Sequence, residues 1–187
     1  DVESAAMAAI AAQDQHPETE WLGPFRMLWR RPPLLLDVEP SVGNGFPRPL
    51  KHGDVLRSIK GEQIGGKGRI EVLQCLLGYQ GQVTFDPRDF GSWLRCGAFL
   101  ALERDTPPPS EFEWVGPFRL SFSTLPDIVE LSGEVQINDA VAVGDSILSL
   151  CGQDLQGKSR KQILQLMNAF DGKIEFKRHP RGQGAQQ

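Results

Sequence analysis

Glu20-Trp21-Leu22-Gly23-Pro24-Phe25-Arg26 reappears 93 residues later as Glu113-Trp114-Val115-Gly116-Pro117-Phe118-Arg119, with Leu22/Val115 the only difference. A seven-residue match of that quality within one protein is the signature of a copied unit, and it organises everything else. Working outward, Gly53-Asp54-Val55-Leu56-Arg57-Ser58 aligns with Gly144-Asp145-Ser146-Ile147-Leu148-Ser149 at an offset of 91. Lys67-Gly68-Arg69-Ile70 aligns with Lys158-Ser159-Arg160-Lys161, and Gly81-Gln82-Val83-Thr84-Phe85 with Gly172-Lys173-Ile174-Glu175-Phe176, both at 91. The spacing holds over a whole domain-sized stretch, so the sequence reads as a duplicated domain rather than a short solenoid repeat. Residues 20–86 form unit one and residues 113–179 form unit two. An acidic N-terminal arm (1–19), a linker (87–112) and a tail (180–187) surround them.

Unit two carries the clearer local signals. Phe118-Arg119-Leu120-Ser121-Phe122 alternates apolar and polar residues, as a half-buried strand does. A turn at Leu125-Pro126-Asp127 leads to a strand ending at Leu131. Gly144-Asp145 turns the backbone into the strand Ser146–Leu150, and Cys151-Gly152 turns it again. Ser159 is a candidate N-cap for a helix carrying Ile163, Leu164, Leu166, Met167 and Phe170, followed by a strand at 173–177. Unit one repeats the plan with a helix at 69–77 and a closing strand at 82–85. It departs at Arg30-Arg31-Pro32-Pro33, a basic, proline-stiffened loop before the buried strand Leu34–Val38. In the linker, Phe90, Trp93, Leu94, Ala98, Ala101 and Leu102 recur at helical spacing, and Pro107-Pro108-Pro109 makes an extended spacer. The Ala-rich segment 4–12 predicts a short helix stopped by Pro17, and residues 181–187 a frayed end.

This order of elements resembles the PDZ domain family, twice over. The carrying residues are Gly144-Asp145-Ser146-Ile147-Leu148-Ser149-Leu150-Cys151-Gly152 and Gly53-Asp54-Val55-Leu56-Arg57-Ser58-Ile59-Lys60-Gly61, each followed by a helix and then a Gly-x-[Val/Ile]-x-Phe strand. The resemblance implies an α+β fold of two small, partly open β-barrels or sandwiches, each capped by helices and joined by a helical, proline-rich linker. It also implies binding of extended peptides, often the C-termini of other proteins, by strand addition in a groove between the second strand and the second helix. In unit two that groove comprises Phe118, Arg119, Leu120, Phe122, Arg160, Ile163, Leu164 and Met167. In unit one it comprises Phe25, Arg26, Met27, Trp29, Arg69, Val72, Leu73 and Leu76. The Gly-Pro-Phe-Arg segments sit where the family has its carboxylate-binding loop. They depart from it: Arg26 and Arg119 stand in a glycine's place, and Pro24 and Pro117 each remove a backbone donor. The first helical residue facing the groove, His in the best-known ligand class, is Arg69 or Arg160 here. An arginine there favours an acidic or carbonyl-rich ligand, or fills the groove itself.

Each of these residues also has a plainer reading. The arginine pairs Arg26/Arg119 and Arg69/Arg160 are either anion-capturing or ordinary surface charge on a strand edge and a first helical turn. Trp21 and Trp114 read as partly buried flank packing, and one of Trp29 and Trp93 as the seal between units. Cys75 and Cys151 read as buried, inert thiols, with Cys96 the more exposed. Three scattered histidines and three unpaired cysteines give no metal set and no disulfide framework. No P-loop, GxSxG or HExxH pattern is present, and the glycine runs at 43–45 and 65–68 are turns. No cofactor is implied.

Net charge is −4 with a pI near 5.4, which argues against a general nucleic-acid binder. No apolar run reaches the roughly 20 residues of a membrane span. The basic cluster of Arg26, Arg30 and Arg31 reads as a solvated face or a protein contact rather than a lipid or nucleic-acid site. The sequence starts at Asp1, either a processed end or a chosen boundary, so its compartment stays open.

The leading functional expectation is therefore a non-enzymatic interaction protein that takes extended peptides or partner subunits through PDZ-like units. One alternative is an accessory structural subunit of a larger complex, an organellar one included, using the units as docking blocks. Another is the regulatory fragment of a longer serine protease. An enzyme built around Cys96 is a third.

Overall fold

The structure, a computed structural model, describes residues 18–42, 46–76, 83–104, 112–133 and 141–180. The helix expected at 4–12, the turn at 43–45, the spacer at 107–109 and the tail at 181–187 lie outside the described residues. The fold is α+β: two antiparallel six-stranded sheets and three α-helices among the described residues. Neither sheet closes into a barrel. The first contains β1 (Thr19–Leu22), β2 (Phe25–Leu28), β3 (Leu34–Val38), β4 (Val55–Ile59) and β5 (Glu62–Gln63) in that order, with β6 (Val83–Asp86) paired to β4. The second repeats this with β7 (Phe112–Val115), β8 (Phe118–Phe122), β9 (Pro126–Leu131), β10 (Ser146–Leu150), β11 (Gln153–Asp154) and β12 (Ile174–Lys177). Helix α1 (Arg69–Leu76) belongs to the first half and α3 (Arg160–Asn168) to the second, while α2 (Phe90–Glu103) joins them.

Local chemistry explains the elements. The start of α3 is a capping box: the Gln162 amide donates to Ser159 Oγ at 3.2 Å and the Ser159 amide to Gln162 Oε1 at 2.8 Å. Asp89 caps α2, accepting from the Ser92 amide at 2.8 Å. The repeated Gly-Asp pair places a buried aspartate in each half. Asp54 accepts from the amides of Lys51 and Arg88 and from Arg48. Asp145 accepts from the amides of Ala142 and His179. Each thus ties the loop entering its central strand to the segment leaving the last one.

Helix α2 buries two faces at once. Leu94, Ala98 and Ala101 join the core of the second half, with Val115, Phe118, Leu120, Ile147, Ile163, Leu164 and Met167. Cys96 and Phe99, with Leu100 against them, pack on Leu28, Leu34 and Leu36 of the first. A helix apolar on both sides belongs in an interior. The segment expected as a linker is therefore a shared core element.

Its approach to the second half is backbone against backbone. A Cβ on Gly97 would lie 2.1 Å from the amide nitrogen of Gly116, and one on Gly116 2.9 Å from Leu94 Cα. Only glycine leaves room at both positions. Gly97→Ala must push α2 off the β7–β8 turn, and we expect a loss of about 3 kcal/mol and a melting temperature lower by about 10 °C. Gly133→Ala, which meets nothing within 4 Å, is the control expected to leave melting unchanged. Equal melting curves for the two variants would contradict this packing.

Candidate functional site

The repeated motif folds into a two-residue hairpin. β7 runs antiparallel to β8 with Val115 opposite Phe118, Trp114 opposite Arg119 and Glu113 opposite Leu120. β1 and β2 repeat this as Leu22–Phe25, Trp21–Arg26 and Glu20–Met27. Gly116 and Gly23 have φ of 58° and 60°, and proline follows each. Positive φ at the first turn position and the fixed negative φ of proline at the second are the signs a type II′ hairpin turn requires. Gly-Pro is thus turn chemistry here, where the resemblance implies a carboxylate-binding loop.

The pairing corrects the expectation of an open strand edge. β8 is hydrogen-bonded to β9 on one side and to β7 on the other. β2 is likewise held between β3 and β1. The candidate groove residues do come together. Phe118, Leu120, Ile163, Leu164 and Met167 form one buried cluster with Phe122 packed against it. Met27, Trp29 and Val72 form another, with Phe25, Leu73 and Leu76 against it. Both clusters are core, and in unit two Val115 of β7 is part of it.

The arginines settle differently from either sequence reading. The Arg160 guanidinium, at the first residue of α3, donates through Nε to Glu113 Oε2 at 2.6 Å and through Nη2 to Oε1 at 2.8 Å. Arg104 adds a bond to Glu113 Oε1 at 3.2 Å. The equivalent Arg69 donates to Glu20 Oε1 at 2.7 Å. An arginine at the head of each helix does meet a carboxylate, supplied by the protein's own added strand. Arg26 forms a two-point pair with Glu103 at the end of α2, and Arg119 reaches Glu130 on β9 at 3.2 Å.

The two latches differ in depth. Glu113 is 5% exposed at its side chain and Arg160 16%, while Glu20 and Arg69 are 21% and 25%. The last turns of α2 explain this, since Arg104 joins the unit-two pair and the Ala101 carbonyl accepts from Arg160 at 3.3 Å. Burial alone pushes the Glu113 carboxyl up, but the hydrogen bond and charge of Arg160, with those of Arg104, outweigh it and hold the carboxyl below the ordinary Glu range.

The outward side of each added strand carries a tryptophan. Trp21 is 50% exposed and Trp114 44%, more than flank packing implies. Trp29 lies in the first core, whereas Trp93 lies in α2 with the Arg88 guanidinium 3.5 Å from its ring centroid. The thiols reverse expectation. Cys96 is fully buried beneath the first sheet, while Cys75 and Cys151 are partly exposed.

One constellation is invisible in the sequence. Ser146 Oγ donates to Asp127 Oδ1 and lies 3.1 Å from His179 Nε2. The aspartate holds the serine rather than the imidazole, and Ser146 is 2% exposed. In a nucleophilic triad the carboxylate orients the base and the hydroxyl faces substrate; this arrangement instead clips β9, β10 and the segment after β12 together. Among the described residues no group of His, Cys, Asp and Glu is placed to hold a metal ion, and no helix is long and apolar enough to cross a membrane. No protein-family model matches the sequence, and no curated protein matches it.

Two outcomes follow from this geometry. Arg160→Ala leaves the buried Glu113 with Arg104 as its remaining cation and is expected to cost about 2 kcal/mol, whereas Arg69→Ala, at the shallower pair, costs about 1 kcal/mol. Because the Glu113 carboxyl is depressed in the folded state, its stabilisation is complete above the unfolded value of about 4.3 and is lost as pH falls through the folded one. Denaturant titrations of Glu113→Gln and the wild type should therefore converge as pH drops below about 4; a gap that stays constant would contradict the latch. Separately, burial pushes the Cys96 thiol up to about 12, so it carries almost no thiolate at neutral pH. A thiol-reactive probe at pH 8 should label Cys75 and Cys151 first and Cys96 only on unfolding; fast native labelling of Cys96 would restore it as a candidate nucleophile.

Proposed function

We propose that this is a non-enzymatic docking protein made of two PDZ-like units whose peptide grooves are filled from within. Of the readings the sequence leaves open, this is the accessory-subunit one. The observation that carries it is the equivalence of β1 and β7. Each lies along the strand a PDZ ligand would pair with, and each sends a glutamate to the arginine that heads the neighbouring helix. Leu22 and Val115 stand as the apolar terminal residue of such a ligand, and Glu20 and Glu113 as the residue two positions before it.

A groove already holding its own strand does not offer β2 or β8 to an outside peptide. Recruitment then belongs to the outer faces. Trp21 and Trp114 are exposed at equivalent positions, each opposite an arginine on the next strand. Tryptophan and arginine are the residues most often found to anchor protein interfaces. The two-faced packing of α2 makes the pair of units one rigid block, which suits a subunit that holds partners at fixed separation.

The test is titration of the isotope-labelled protein with a library of C-terminal peptides, acidic ones included. The docking reading predicts no peptide with Kd tighter than about 1 mM and no amide shifts along Phe25–Leu28 or Phe118–Phe122. Micromolar binding that shifts those amides and disappears in Arg160→Ala would overturn it in favour of a peptide-capturing scaffold.

A further inference from the structure

In the basic loop between β2 and β3, Arg31 is exposed and Arg30 is turned inward. Arg30 reaches across to the second half, donating through Nη2 to Asn168 Oδ1 at 3.2 Å and through Nη1 to its neighbour's carbonyl, Trp29 O, at 2.9 Å. Arg95 of α2 donates to the Phe170 carbonyl at 2.9 Å and to Ser92 Oγ at 3.3 Å. Arg31 makes no hydrogen bond or ion pair among the described residues. These three arginines line one cleft of about 410 Å³ between the two halves, with apolar walls from Leu34, Val55 and Phe170.

Their charge is compensated only in part, by the single carboxylate of Asp89. Elsewhere Arg26, Arg48, Arg69, Arg119 and Arg160 each reach a carboxylate. Arg30 and Arg95 bond only neutral oxygens, and among the described residues no carboxylate lies within ion-pair distance of any of the three. The one acid in the lining, Asp89, is committed to the amide and hydroxyl of Ser92 as the cap of α2. Three guanidiniums against one carboxylate leave the cleft with an excess of positive charge, which a bound anion would offset. Their planar forks match phosphate oxygens, and a volume of this size with apolar walls suits a small molecule rather than a bare ion.

We propose that this cleft binds a phosphoryl group carried on a small apolar or mixed body, with Arg30, Arg31 and Arg95 holding the phosphoryl oxygens. The site draws on both halves and on α2, so it exists only in the assembled pair, and it stands independently of whether the strand rims are closed. The phosphoryl group has two sources, a free phosphorylated molecule or a phospholipid headgroup.

The experiment uses the full-length protein with two probes: inorganic pyrophosphate in solution, followed by calorimetry, and phosphatidylcholine vesicles containing phosphatidic acid, followed by co-sedimentation. Arg31→Gln is the deciding variant, because Arg31 makes no internal bond among the described residues whose loss would unsettle the fold. Arg178→Gln, an exposed arginine outside the cleft, is the charge control. Binding with Kd below about 1 mM, weakened at least tenfold in Arg31→Gln and unchanged in Arg178→Gln, supports the site. A pyrophosphate response assigns it to free molecules, and a vesicle response alone assigns it to headgroups. Absence of binding to both probes, or binding that Arg31→Gln leaves intact, overturns the proposal.

Discussion

A strand rim beside a helix presents unpaired backbone donors and acceptors, and something must cover them. In this protein the cover is built in. Each half begins with a four-residue strand folded back by Gly-Pro onto the next strand and fastened by a glutamate–arginine pair to the neighbouring helix. Exposed edges invite unplanned pairing between molecules, and this arrangement moves the sheet edge outward from β2 and β8 to β1 and β7. The covering strand is tethered by two residues, so an outside peptide competes with a local concentration on the order of millimolar or more.

The second constraint is the helix between the halves. A linker free to move would expose the apolar faces that α2 buries in two cores at once. The approach of Gly97 to Gly116 brings the helix directly against the hairpin turn of unit two, and the C-terminal end of the same helix supplies Arg104 and the Ala101 carbonyl to the Glu113 latch. Closure of the unit-two rim and fixation of the two units are thus coupled through one element. Unit one lacks that support, and its latch is correspondingly shallower.

Much of this is legible in the residues. Alternation marks Phe118–Phe122, the Gly144-Asp145 turn introduces Ser146–Leu150, helical spacing marks α2, and Ser159 announces the cap of α3. The repeat is visible because insertions have not blurred it. What stays hidden depends on distance along the backbone. Glu-Trp-Leu and Glu-Trp-Val are too short to show a period, and a following Gly-Pro reads equally as loop or turn until the partner strand is seen. The partners Glu113 and Arg160 lie 47 residues apart, so composition and spacing flag the arginine but not its acid. Cys96 reads as exposed because the side chains that bury it come from β2 and β3, far upstream in sequence. The cleft of Arg30, Arg31 and Arg95 has the same origin, drawing on four separated segments.

Both the closed rims and the proposed docking role require β1 and β7 to lie in place with no ligand added. Nuclear Overhauser contacts measured on the ligand-free, full-length protein address that directly. Cross-strand contacts between Glu113 and Leu120, and between Trp114 and Arg119, with matching contacts between Glu20 and Met27, are the predicted result. Their absence, together with amides along Phe118–Phe122 that exchange with solvent as an unpaired edge does, would contradict it.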